Sequence, residues 1–142
     1  MSDRWNVEIL NRLLAIQYRS LPRYLSYAPP WTSAADDGAV AALTNIVALQ
    51  ERMAGRIAEL VLARRGRPDP GDFPMEFTDT QFLALDFLIG ELIHYQKQDV
   101  AALRQCARQL SDDAEALALA EEALGAEQSH LETLEGLERQ TV

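Results

Sequence analysis

The chain has 142 residues, enough for one domain burying roughly two-thirds of its unfolded surface and too few for two comfortable ones. Hydrophobic residues make up 48%, which excludes a disordered chain, and its apolar runs are cut short by charges, which excludes a bilayer-spanning segment. A net charge of −9 excludes the basic face that nucleic-acid phosphates need.

The first residues, from Met1 to Asn6, show no basic segment followed by an apolar core, so no signal peptide is expected. Glycine and proline clusters then divide the chain into four helical segments. The first is expected over about 6–28, kinked at Pro22 and ended by Pro29 and Pro30. The second, 37–65, opens at Asp36 and Asp37 and closes at Arg64-Arg65-Gly66, where cations meet the negative helix end and glycine supplies the stop.

Residues 67–77 carry Pro68, Pro70, Gly71 and Pro74 and read as a crossover rather than a tight turn. The third helix, 78–110, opens with Thr78 and Gln81 as a capping box. Its Cys106, the only cysteine, reads as a packing residue, cannot form an internal disulfide, and fits a reducing compartment; a cytoplasmic protein is expected. The fourth, 112–139, opens with Asp112 and Glu115 at capping-box spacing. No segment alternates with a period of two, so no sheet is expected. The pattern predicts one domain over 1–142, an all-α antiparallel four-helix bundle running up-down-down-up.

Three- and four-residue steps trace the buried stripe of each helix. The first runs Leu10, Leu14, Gln17, Leu21; the second Leu43, Val47, Gln50, Ala54; the fourth Leu124, Glu127, Leu131, Leu134. The third runs Leu85, Leu88, Leu92, Tyr95, with Glu91 beside it. Each stripe thus carries one mid-helix polar interruption, and antiparallel packing brings the four to one level. A lone buried carboxylate costs several kcal/mol, so Glu127 needs a partner or a cation. The two histidines each follow a glutamate by three residues, in Glu91-Leu92-Ile93-His94 and Glu127-Gln128-Ser129-His130, and that spacing puts each pair on one helix face.

This pattern resembles the ferritin-like superfamily of bacterioferritins and rubrerythrins, whose four helices supply carboxylates and Glu-x-x-His pairs to two metals. By that resemblance Gln17 stands where the first-helix glutamate is expected, and Gln50 and Met53 stand where the second-helix Glu and His are expected. Glu91 resembles the third-helix ligand, Glu127 and His130 the fourth-helix pair, and His94 the extra third-helix ligand of rubrerythrins. Half of the site is neutralised, because glutamine and methionine are weak ligands here. The resemblance therefore implies a degenerate site of Glu91, Glu127, His130 and His94, holding at most one ion of iron, manganese or zinc, or none.

Two functions follow as expectations: a ferritin-like protein with residual metal binding, or a non-catalytic bundle with a metal-free polar network acting by association. An iron-storage shell is not expected, since no fifth helix follows. A homodimer is the expected assembly, with no nucleic-acid or membrane partner. Trp31 beside Pro29-Pro30, and the run Phe73-Pro74-Met75-Glu76-Phe77, are the candidate contacts. Tyr18 and Tyr24 read as packing, and Arg64, Arg65 and Arg67 as helix-end chemistry.

Overall fold

The structure, a computed structural model, describes residues 3–140. The expectations about a leader and a fifth helix fall partly on Met1, Ser2, Thr141 and Val142, which lie outside the described residues. The fold is all-α. Its helices are α1 (Asp3–Tyr18), α2 (Leu21–Tyr27), α3 (Asp37–Ala63), α4 (Leu85–Gln109) and α5 (Ala114–Gln140), with short 3₁₀ turns at Ala34–Asp36 and Met75–Thr80. Among the described residues the only β feature is an isolated bridge between Trp31 and Ala84. No helix among them is long and apolar enough to cross a membrane.

The expected kink at Pro22 is a full break. Ser20 takes an extended conformation, and its hydroxyl accepts from the Arg23 amide at 3.3 Å, so it caps a new helix with Pro22 in its first turn. Pro22 has no N–H to offer the Tyr18 carbonyl four residues back. The buried Arg23 guanidinium supplies that donor instead, at 2.5 Å, and also reaches the Tyr27 hydroxyl and Glu51. It stacks over the Tyr18 ring at 4.1 Å, so that ring packs as expected although it is partly exposed.

The third helix opens later than expected, at Leu85 rather than Thr78. Thr78 donates its hydroxyl to the Met75 carbonyl, and the Gln81 amide donates to Tyr24, so no capping box forms. Phe82 then adopts a left-handed φ of 68°, which a helix cannot continue through, and the bridge to Trp31 delays the restart.

The other ends hold with local differences. Arg65, not Gly66, takes the left-handed turn after α3, with φ 59°. Gly66 is needed for room: a Cβ there would lie 2.6 Å from Val7 Cγ1. At the start of α5 the cap is Asp113 rather than Asp112, since Asp113 accepts from the Ala116 amide at 3.1 Å. The same carboxylate binds Arg64 at 2.5 and 2.9 Å and Asn6 at 3.0 Å, tying α3 and α1 to α5. Arg64 holds the Asp113 carboxyl down at about 2, helped by the Ala116 amide and Asn6, while burial opposes.

The core has two apolar clusters. One joins α1 to the C-terminal halves of α3 and α4 and the N-terminal half of α5, around Leu10, Leu13, Ile57, Val61, Leu103 and Ala120. The other joins α2 to the opposite halves, around Leu21, Ile46, Phe77, Leu88, Leu92 and Leu134. Cys106 is fully buried in the first cluster, where burial pushes its thiol up. Phe77 sits in the second, so it is no surface contact; Trp31 and Met75 are exposed.

Candidate functional site: a buried polar layer

Between the two clusters lies a layer of buried polar side chains. Gln17 comes from α1, Ser20 from the break after it, Gln50 from α3, Gln96 from α4, and Glu127 with His130 from α5. Each interrupts its helix's apolar stripe. Leu14 and Leu21 flank Gln17, Ile46 and Ala54 flank Gln50, and Ala123 and Leu134 flank the α5 pair.

Glu127 is the centre. Its Oε1 accepts from the Gln96 amide at 2.7 Å and from the Gln50 amide at 3.1 Å, and lies 3.0 Å from His130 Nδ1. Gln96 also donates to the Glu127 backbone carbonyl at 2.9 Å. Gln50 is held in turn by the Ser20 hydroxyl, which donates to its Oε1 at 2.7 Å. Three nitrogen groups converge on one oxygen, the normal way to keep an acid inside a core.

One more acid borders the layer. Asp99, three residues after Gln96 on α4, is half-buried. Burial and the nearby Glu127 charge push its carboxyl up to about 7, against the pull of Arg19. Near neutral pH it therefore exchanges a proton beside Glu127. The layer also keeps spare hydrogen-bonding capacity: both amide atoms of Gln17, and Oε1 of Gln96, are buried without a partner.

Of the four candidate metal ligands, Glu127 and His130 come together. Glu91 and His94 do not join them; both are exposed on α4. His94 Nε2 lies 3.1 Å from Gln98 Nε2, and its ring meets the edge of Tyr95. Glu91 acts on Tyr95 instead of the core. The Tyr95 hydroxyl donates to Glu76 at 2.7 Å, and that bond, burial and the nearby acids push it up to about 12.

The misplacement has a definite cause. From Leu92 the stripe can step by three to Tyr95 or by four to Gln96. The aromatic residue favours the first step, whereas Val100, Leu103, Ala107 and Leu110 run in phase with Gln96. Read backwards from Leu110, that phase identifies Gln96.

The degenerate positions fall inside the fold. Gln17 and Gln50 are in the layer, while Met53 packs in the first apolar cluster. The donors around Glu127 are amides and one imidazole, which do not fit the pair of ions that the ferritin-like resemblance implies. Among the described residues no three His, Cys, Asp or Glu side chains are grouped so as to hold a metal ion. Comparison with family models, with curated proteins and with solved structures finds no match.

Proposed function

We propose that the chain is an antiparallel four-helix bundle of ferritin-like architecture, that its polar layer is a metal-free hydrogen-bond network, and that it acts as a non-catalytic scaffold through association. The observation that carries this reading is the saturation of Glu127 Oε1 by Gln50, Gln96 and His130. With three nitrogen neighbours, Oε1 has no lone pair left to offer a cation. The same glutamine at Gln50 that weakens a metal site strengthens this network.

The arrangement of the helices is supported by residue pairings across them. Arg64–Asp113, Arg56–Glu122 and Gln50–Glu127 pair α3 and α5 in opposite directions. Asn11–Arg67 with Ser20–Gln50 do so for α1 and α3 and the residues just past their ends, and Arg12–Gln109 joins α1 to α4. Residues 64–84 then serve as the long connection between α3 and α4.

The test is elemental analysis of protein purified without chelator, with thermal unfolding in added iron, manganese or zinc. The expected result is far less than one metal per chain and no rise in Tm. One ion per chain, with a Tm that climbs with metal concentration and falls back in Glu127→Gln, would overturn the metal-free reading.

A further inference from the structure

Along the N-terminal half of α3 runs a face that α2 and the second core cluster cover only in part: Val40 and Thr44 are exposed, while Leu43 and Val47 are half-buried. Val40, Leu43, Thr44 and Val47 follow the spacing of one helix face, and with Leu25 and Pro29 they line an open groove of about 380 Å³. Among the described residues no charged side chain lines this groove. At Thr32 it meets a neighbouring pocket whose lining includes Trp31, Asp36 and Asp86. The Trp31 indole is 69% exposed there. An uncharged trough thus leads into two carboxylates and an aromatic ring.

We infer that this surface docks a basic amphipathic helix of a protein partner. Its apolar residues lie along Val40 to Val47, and a Lys or Arg reaches between Asp36 and Asp86 against Trp31. This deepens the association reading above and rests on it. Two turns of α3, roughly 10 Å, match two turns of a docked helix. Asp36 and Asp86 each accept a local hydrogen bond on one oxygen but keep their charge. Carboxylates lining one pocket with an indole attract a cation by charge and by the ring's quadrupole. A second copy of this chain brings another −9 to the same surface, and an anionic lipid surface is repelled likewise, so neither has the complementary charge.

The probe is a labelled synthetic helix of Leu and Lys, with Leu at the spacing of one face, titrated against the full chain by fluorescence anisotropy. The expected result is saturable binding. Thr44→Arg, at an exposed position in the groove, should weaken it about tenfold. Asp86→Asn should weaken it about threefold. Glu121→Gln, exposed on α5, is the charge control and should leave it unchanged within about twofold. The matching Leu/Glu peptide should not bind.

Equal binding to the parent and both groove variants would overturn the proposal, because the attraction would then be diffuse charge. So would a dimer of the free protein that Thr44→Arg dissociates, since the groove would then receive a second copy. Circular dichroism of each variant checks that it folds, and Asp86→Asn preserves the test if Thr44→Arg does not. Metal analysis is independent: a metal-loaded protein that still discriminates the variants would sink the metal-free reading and leave the docking site standing.

Discussion

The two halves of the core end differently. At the end where α3 stops and α5 starts, Arg64, Asp113 and Asn6 close three helices onto one another. The charges suit their places, with a cation at the C-terminus of α3 and an anion at the N-terminus of α5. At the other end α2 runs into Pro29 and Pro30, which line the groove, and Trp31, Phe82 and Phe87 are exposed. Prolines have no N–H with which to close a terminus. The same helices thus make a sealed half and an open half, and what separates them is the chemistry of the helix ends, not the packing between.

The largest effect should come from the layer both halves share. Glu127→Ala strands Gln50 and His130 and takes from Gln96 one of its two acceptors, with an expected cost of about 3–5 kcal/mol by urea unfolding. Glu127→Gln should retain most of the stability, because its carbonyl still accepts. If the alanine variant lost less than about 1 kcal/mol, the layer would not be what joins the halves.

Asp113→Ala attacks the sealed half alone. It removes the cap of α5 and the two-bonded partner of Arg64, which keeps only Glu115 at 3.3 Å, for an expected loss of about 2–4 kcal/mol. Hydrogen exchange should rise at the sealed end first. Equal loosening of the open end would erase the distinction between the halves.

Acid and base should act on different groups. The depressed Asp113 carboxyl contributes stability above pH 4, lost as pH falls toward about 2. Asp99 has the opposite sign: raised to about 7, it favours the fold at low pH and loses that contribution as pH rises from about 4 through 7. Between pH 5 and 8 the parent should lose about 1–3 kcal/mol that Asp99→Asn does not lose. Matching slopes would remove Asp99 from the layer's electrostatics.

The smallest effects sit at two left-handed residues, one in each half. Arg65→Gly and Phe82→Gly should each stabilise by about 0.5–1 kcal/mol, since glycine holds a positive φ without strain. The gain at Phe82 should come with less exposed apolar surface and the gain at Arg65 without it. Thermal midpoints measured together with dye binding separate the two.

Helices were legible wherever periodicity and termini agreed, as they do across α3 and α5. Gln17, Gln50 and Glu127 were legible as a buried level because each breaks an otherwise apolar stripe. Gln96 was not, because a single ambiguous step at Leu92 turns the helix face toward Glu91 and His94. Asp99 hides for a related reason, since its burial depends on what α1 and α5 bring against it. The late start of α4 was hidden in Phe82, whose left-handed turn no composition rule announces. Arg23 was illegible for a third reason: its partners Tyr18, Tyr27 and Glu51 meet only after α2 has folded back on α3.

Ser20 and Arg23 make the break at Pro22 redundant. The serine caps α2, and the arginine occupies the carbonyl that an unbroken helix would bond through its backbone. Replacing Pro22 by alanine therefore restores a donor whose acceptor is already taken. The direction of α2 can be inherited through changes at the proline itself. Ser20 also donates to Gln50, so a drift in that direction would disturb the polar layer as well. Selection on the buried network would then preserve the shape of the open groove, even in a lineage that no longer used it.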